Sequence, residues 1–182
     1  MSVILRQATP EDVSALSRLA SDTFRDGWAA LITAPIADAY VAVAFTIDKL
    51  SEEIADTTSY IVLAGDKNQT LIGYAKLATA AKEAPGFVTG SRPILLQRLY
   101  VTSAYQGQGI ADRLLNDIVR EALRRGGTTL WLETEPGNQR AWRFYQKRDF
   151  VDVGSTIYPL PGGINDRIRV LQKRIGPPDD AG

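Results

Sequence analysis

The chain of 182 residues contains neither cysteine nor histidine. Without cysteine there is no disulfide and no thiolate nucleophile, and acyl transfer through a cysteinyl intermediate is excluded. Without histidine there is no Ser-His-Asp triad, and with both absent there is no Cys/His zinc site; no metal is expected. A catalyst built from this sequence must draw its acid and base from Asp, Glu, Tyr, Lys, water or the backbone. Direct attack by an acceptor stays open. An excess of charge of one sign is also missing: 21 basic residues balance 21 acidic ones, and the pI is near 6.3. Composition therefore predicts no strong attraction to nucleic acid or to an anionic membrane. No apolar run approaches the roughly 18 residues needed to cross a bilayer. The start, MSVILRQATP, lacks a charged leader followed by an apolar core. A soluble, cytoplasmic protein is expected. One domain over residues 1–175, with a disordered tail at 176–182 (GPPDDAG), is the simplest organisation. It is long enough to bury a substantial core, and no repeat or internal linker interrupts it.

What is present is organised around residues 95–125. Residues 94–101 combine β-branched and aromatic side chains and read as a buried strand. After Ile110 the apolar positions Leu114, Leu115, Ile118, Val119, Ala122 and Leu123 mark one face of a helix that ends at Gly126-Gly127. Between strand and helix lies Gln106-Gly107-Gln108-Gly109-Ile110-Ala111. Such a turn leaves the first N–H groups of the helix unpaired with the positive dipole end outward, which suits a phosphate. Small residues at Gly107, Gly109 and Ala111 allow close approach to the backbone. The same turn also reads as a plain corner. It is not a P-loop, because Ile110-Ala111 follows Gly109 where Lys-Ser or Lys-Thr is required. Nor is it the dinucleotide fingerprint, because Asp112 stands where the third Gly or Ala belongs.

In chain order, residues 2–7 read as a strand, and Thr9-Pro10-Glu11-Asp12 as a helix start with a cap, proline in the first turn and two acids. Helical periodicity runs to Thr23, followed by a loop or short helix over 22–28, a helix over 35–45 and another starting at Thr46. Residues 59–64 and 70–79 form a hairpin, with Gly73 marking a bulge or a close backbone approach. Residues 80–93 are a surface loop. A strand over 128–133, a short helix over 138–147 and strands over 150–158 and 164–174 complete the chain, with the last two joined by a reversal at 159–163. The order β-α-α-β-β-β-α-β-α-β-β fits one sheet with a parallel pair in its middle, joined by the long helix.

Two patterns carry a family resemblance. Gln106, Gly109 and Ala111 form Q-x-x-G-x-A after Leu99-Tyr100-Val101; Asn138, Ala141, Phe144 and Tyr145 form N-x-x-A-x-x-F-Y before Asp149-Phe150. Alone, the second reads as a short helix packing its apolar face into the core. Together, in this order and with a strand between, they resemble the acyl-CoA loop and second signature of GNAT-superfamily N-acetyltransferases, over roughly residues 2–174. The resemblance implies an α/β (mixed α+β) single domain with a mixed, mostly antiparallel sheet, a central splayed parallel strand pair, and helices on both faces. It implies acetyl-CoA as acyl donor, lying between the strands that end at Val101 and Glu133. Gln106, Gly107, Gln108, Gly109, Ile110 and Ala111 would hold the pyrophosphate, with Gln106 also a side-chain donor. Leu99, Tyr100 and Val101 would pair with the pantetheine arm as an added strand, and the Val101 N–H would stabilise the oxyanion. Asn138 and Ala141 would sit beside the arm. Tyr145 would protonate the leaving thiolate.

Two positions depart from the family pattern. Leu95 stands where many members carry a glutamate, and an alkylammonium acceptor must lose a proton before attack. Glu133 and Glu135, at the end of the neighbouring strand, are substitute bases or solvated strand-end charges; a water chain is a third route. Asp149 replaces a glycine and is expected in a left-handed turn. The acceptor side should be built from residues 24–45 and the 80–93 loop, with Trp28, Tyr40 and Phe45 in the pocket wall or in the core. The resulting expectation is an N-acetyltransferase acting on a primary amine of a small molecule or a protein by direct attack. The alternatives are a catalytically inactive CoA-binding sensor and a structural domain with a chance turn. Similar proteins commonly form homodimers, while no exposed stripe in this sequence demands one.

Overall fold

The computed structural model describes residues 3–80, 82–160 and 164–177. Their elements are β1 (Ile4–Gln7), α1 (Val13–Trp28), α2 (Ala34–Ala44), α3 (Ile47–Ala55), β2 (Ser59–Gly65), β3 (Leu71–Ala78), β4 (Pro93–Val101), α4 (Ile110–Arg124), β5 (Thr129–Thr134), α5 (Gln139–Gln146), β6 (Val151–Leu160) and β7 (Ile164–Arg174). The strands form one sheet in the order β1-β2-β3-β4-β5-β7-β6. Every neighbouring pair is antiparallel except β4 and β5, the predicted parallel pair, connected through α4.

Helices cover both faces. The periodic residues Ile110, Leu114, Leu115, Ile118 and Ala122 of α4 are buried against Val62, Ile72, Leu77, Ile94, Leu96 and Leu130 of the sheet. Truncating one of the leucines to alanine there costs about 2–5 kcal/mol. On the other face α1, α2 and α3 bury Leu16, Ala20, Phe24, Val41, Phe45 and Leu50 against Ile61, Leu63 and Tyr74. The expected break at 22–28 does not occur: α1 continues to Trp28. Phe24 stacks between Trp28 and Tyr40, with ring centroids 5.4 and 4.4 Å away, and this packing outweighs the low helix propensity of Asp26-Gly27. The first turn after Thr9 is 3-10 rather than α, with the Thr9 N–H donating to Asp12 at 2.9 Å.

Two irregularities shape β4. Antiparallel pairing with β3 matches Lys76 to Arg98 and Leu77 to Leu96, so Gln97 is an extra, bulged residue. Parallel pairing with β5 stops after Leu95 and Trp131, so the two strands part beyond that point. Gly73 lies in close backbone contact, as expected: a Cβ there would come within 2.9 Å of the Tyr100 carbonyl oxygen. Asp149 adopts φ 62°, the left-handed turn anticipated for it. No described helix is long and apolar enough to cross a membrane. The reversal at 161–163 and the tail at 178–182 fall outside the described residues.

Candidate active site

The parting of β4 from β5 opens a cleft lined by Leu96, Gln97, Leu99, Tyr100, Thr134, Asn138, Ala141 and Tyr145. The Thr102 N–H bonds to Ile72 on β3 at 2.9 Å. Backbone groups of successive strand residues face opposite edges, so Val101 and Leu99 turn theirs to the edge that β5 has left. The Val101 carbonyl takes the Gln106 side-chain N–H at 2.9 Å.

At one end of the cleft the loop 106–111 enters α4. Gly107 and Gly109 both have φ 76°, and a Cβ on either would meet nothing within 4 Å. Glycine is therefore required by the backbone and leaves open space above it. The backbone N–H groups of Gly107, Gln108, Gly109, Ile110 and Ala111 make no hydrogen bond among the described residues. Gly107, Gly109, Ile110 and Ala111 line a cavity of about 310 Å³ together with Arg140, Arg148 and Asp112. Unpaired amides at a helix start, open glycines and two guanidinium groups form a cradle that fits a diphosphate. Gln106 differs from expectation in one respect: its side chain is engaged within the protein, donating to Val101 and accepting from Arg140. It fixes the loop as much as it offers a donor. Arg148 stacks on Phe144 at 3.7 Å and pairs with Asp112.

Asn138 caps α5, its side-chain oxygen accepting from the Ala141 N–H at 3.0 Å. That bond ties the second signature to the cleft wall, with Ala141 and Tyr145 on the face turned to it. Tyr145 is 8 % exposed and packs between Phe144 and Phe150. Burial pushes its phenol well above the usual value, which keeps the proton on the oxygen at neutral pH.

A second cavity, of about 300 Å³, adjoins the cleft through Leu96, Gln97, Arg98, Tyr100, Thr134 and Glu135. Trp28, Tyr40 and Phe45, read from the sequence as pocket wall or core, are both: they pack with the helical core and line this cavity, joined by Phe24 and Tyr158. The Tyr40 and Tyr158 hydroxyls are 3.2 Å apart. Leu95 lies in its wall, beside Trp131 and Val170. Glu133 is there too, accepting from Thr156 at 2.8 Å and from Lys82 of the 80–93 loop at 2.6 Å. Glu135 bonds back to the Gly137 N–H.

Sequence reasoning missed Arg98, Arg140, Lys82, Thr156 and Tyr158. Arg98 was the most accessible of these: a charged residue inside an apolar strand requires a buried partner. That partner is Glu53, bound in a bidentate fork at 2.6 and 3.1 Å, with Lys76 on the same carboxylate at 2.9 Å. Arg140 occupies an unspecified place in the second pattern, and the other three meet the site only through the fold.

Comparison with known proteins agrees with this geometry. The family model described as acetyltransferase (GNAT) family matches residues 17–150. The chain is 28 % identical over 114 residues to a ribosomal protein bS18-alanine N-acetyltransferase of Haemophilus ducreyi, covering 62 % of this chain and 72 % of that one. It is 26 % identical over 149 residues to an uncharacterized N-acetyltransferase of Mycobacterium tuberculosis, covering 82 % and 89 %. The crystal structure of PaiA N-acetyltransferase from Thermoplasma acidophilum, in complex with coenzyme A, superposes with a TM-score of 0.74 at 20 % identity, covering 96 % of this chain and 99 % of that one. The chain belongs to the GNAT family and is an acetyltransferase.

Proposed function

We propose that this protein transfers an acetyl group from acetyl-CoA to a primary amine by direct attack. The observation that carries this reading is the path from the amide cradle, through the groove between Leu99–Val101 and Asn138–Tyr145 that shares residues with both cradle and cleft, to the aromatic cavity containing Glu133. In this reading the N–H groups of residues 107–111 bind the pyrophosphate, and Leu99, Tyr100 and Val101 hold the pantetheine arm as an added strand. The Val101 N–H stabilises the oxyanion as the amine nitrogen attacks the thioester carbonyl. The carbon–sulfur bond then breaks, Tyr145 gives its proton to the leaving thiolate, and the second proton, shed by the nitrogen as it becomes an amide, restores the phenol directly or through a water. Glu133 receives the proton that the acceptor ammonium must shed, directly or through a water. Leu95, in the place of the usual glutamate, cannot do so.

The reading includes work in the cytoplasm on a small-molecule or protein-borne amine. That the Haemophilus ducreyi relative carries the name of a ribosomal-protein acetylating enzyme supports an amine acceptor. A thermal shift with acetyl-CoA tests the donor site, since saturation at 100 times Kd stabilises by about 2.7 kcal/mol. Thiol release over a panel of amines tests the transfer. Binding with no release from any amine would overturn the reading and leave a CoA-binding relative.

A further inference from the structure

Two cations share one carboxylate beneath the acceptor cavity. Lys76 on β3 and Arg98 on β4 both pair with Glu53 of α3, and the side chains of all three are at most 8 % exposed. Among the described residues neither cation has a second acidic partner within ion-pair distance. One positive charge is therefore left without an ion-pair partner in a region shielded from water; the Phe45 ring, 4.9 Å from the Arg98 guanidinium, and the more distant Asp56, which feels Lys76, offset it in part, and an incoming anion would relieve the remaining cost. Burial first, and then the neighbouring Arg98, pull the Lys76 ammonium down to about 8, as that surplus requires. Arg98 forms part of the cavity wall. Glu53 takes two of its N–H bonds, and a guanidinium has five to give. Elsewhere in the same wall, Glu133 presents a carboxylate held by Thr156 and Lys82. Phe24, Trp28, Tyr40, Phe45, Tyr100 and Tyr158 supply the aromatic part of the lining, and Glu135, bonded to the Gly137 N–H, is a second carboxylate in it.

We infer that the acceptor is an amino-carboxylate with an apolar or aromatic body: its carboxylate answers the surplus charge at Arg98, its amine lies toward Glu133, and its body fills the space between the rings. This deepens the proposed transferase function and rests on it. A bare amine leaves the surplus charge uncompensated. A peptide N-terminus, whose first carboxyl is tied up as an amide, leaves it uncompensated as well. An amino acid of this kind suits a cavity of about 300 Å³, at the small end of ligand sites.

The experiment compares matched acceptors: L-phenylalanine, L-phenylalaninamide and phenethylamine, and 4-(aminomethyl)benzoate against benzylamine. Thiol release gives kcat/KM, and calorimetry on the CoA-saturated protein gives binding without turnover. In at least one set the acid should exceed its analogues without a carboxylate by about tenfold or more in both readouts, the scale of one hydrogen bond to a charged group. Lys76→Met keeps the Arg98–Glu53 pair and removes the surplus charge, so the acid-over-amine ratio should fall toward one in variant protein shown by its melting curve to be folded. Equal or better use of the amide or the bare amine in both sets, or a ratio unchanged in Lys76→Met, overturns the inference while leaving the transferase reading intact. Absence of thiol release from every acceptor fails the transferase reading; the calorimetric comparison still decides whether a carboxylate is recognised.

Discussion

Leu95 and Trp131 are the last partners in the parallel ladder of β4 and β5. Up to that pair the strands behave as ordinary neighbours. Beyond it, each has an edge without a strand beside it, and the cleft, the anion cradle and the acceptor cavity all open from that gap.

Tyr145 lies in the cleft wall with its proton held by burial. Tyr145→Phe should lower kcat by about 10²-fold, the lower range for a general acid, and leave the Kd for coenzyme A unchanged. Steady-state kinetics with calorimetry separates the two. Equal turnover in the variant removes the acid role.

Glu133 stands in the acceptor cavity in contact with Lys82 and Thr156. Glu133→Gln should slow turnover by about 10²-fold at pH values below the acceptor's own pKa, and much less above it, where the amine arrives neutral. A pH–rate profile reads this. A uniform response would favour a water chain to bulk solvent.

Gly109 has φ 76° with open space around its missing Cβ. Gly109→Ala should destabilise by about 1–2 kcal/mol through backbone strain alone. It should also weaken coenzyme A binding, because the added methyl enters the space given to the diphosphate. Chemical denaturation and calorimetry measure the two effects. Loss of stability with unchanged coenzyme affinity would move the diphosphate elsewhere.

Arg6 holds the Asp12 carboxylate down to about 2, with the Thr9 N–H assisting against the cost of burial. A carboxylate whose folded pKa is depressed adds stability above its unfolded pKa and loses it as pH falls through the folded value. With the half-exposed Arg6 screened by solvent, the contribution is about 1–2 kcal/mol. Asp12→Asn should be less stable by that amount at neutral pH, and the gap to the parent should close between about pH 4 and pH 2.

The fold was legible wherever local chemistry dictates it. The spacing of Leu114, Leu115 and Ile118 set α4; Thr46 capped α3, its side chain accepting from Lys49 at 3.1 Å; the contact made by Gly73 was one of two readings of a glycine inside a strand, and the turn at Asp149 followed from the glycine that the family pattern places there. The cradle was legible for the same reason, since residues 106–111 are contiguous and their bare amides are a property of the helix start. The acceptor cavity was not. Phe45, Arg98, Glu133 and Tyr158 come from four elements, and only the sheet order brings them to one wall. Trp28, Tyr40 and Phe45 were read as pocket wall or core, yet nothing in the sequence showed that Phe24 would stack between Trp28 and Tyr40 and hold α1 helical as far as Trp28. Lys76 and Arg98 stand inside apolar strands and so require a buried acid, a signal the sequence reading passed over, and no spacing pointed to Glu53 as that acid.

The bulge at Gln97 acts as a phase shift. Before it, the even-numbered Ile94 and Leu96 face α4; after it, the odd-numbered Leu99 and Val101 do. Arg98 and Tyr100 thereby join Leu95 on the acceptor side. Excising that one residue would reverse the orientation of everything downstream in the strand. The guanidinium would be driven into the oily layer under α4, and two aliphatic side chains would be delivered where the acceptor is recognised. A single uncounted amide thus decides which half of β4 belongs to the scaffold and which to the chemistry.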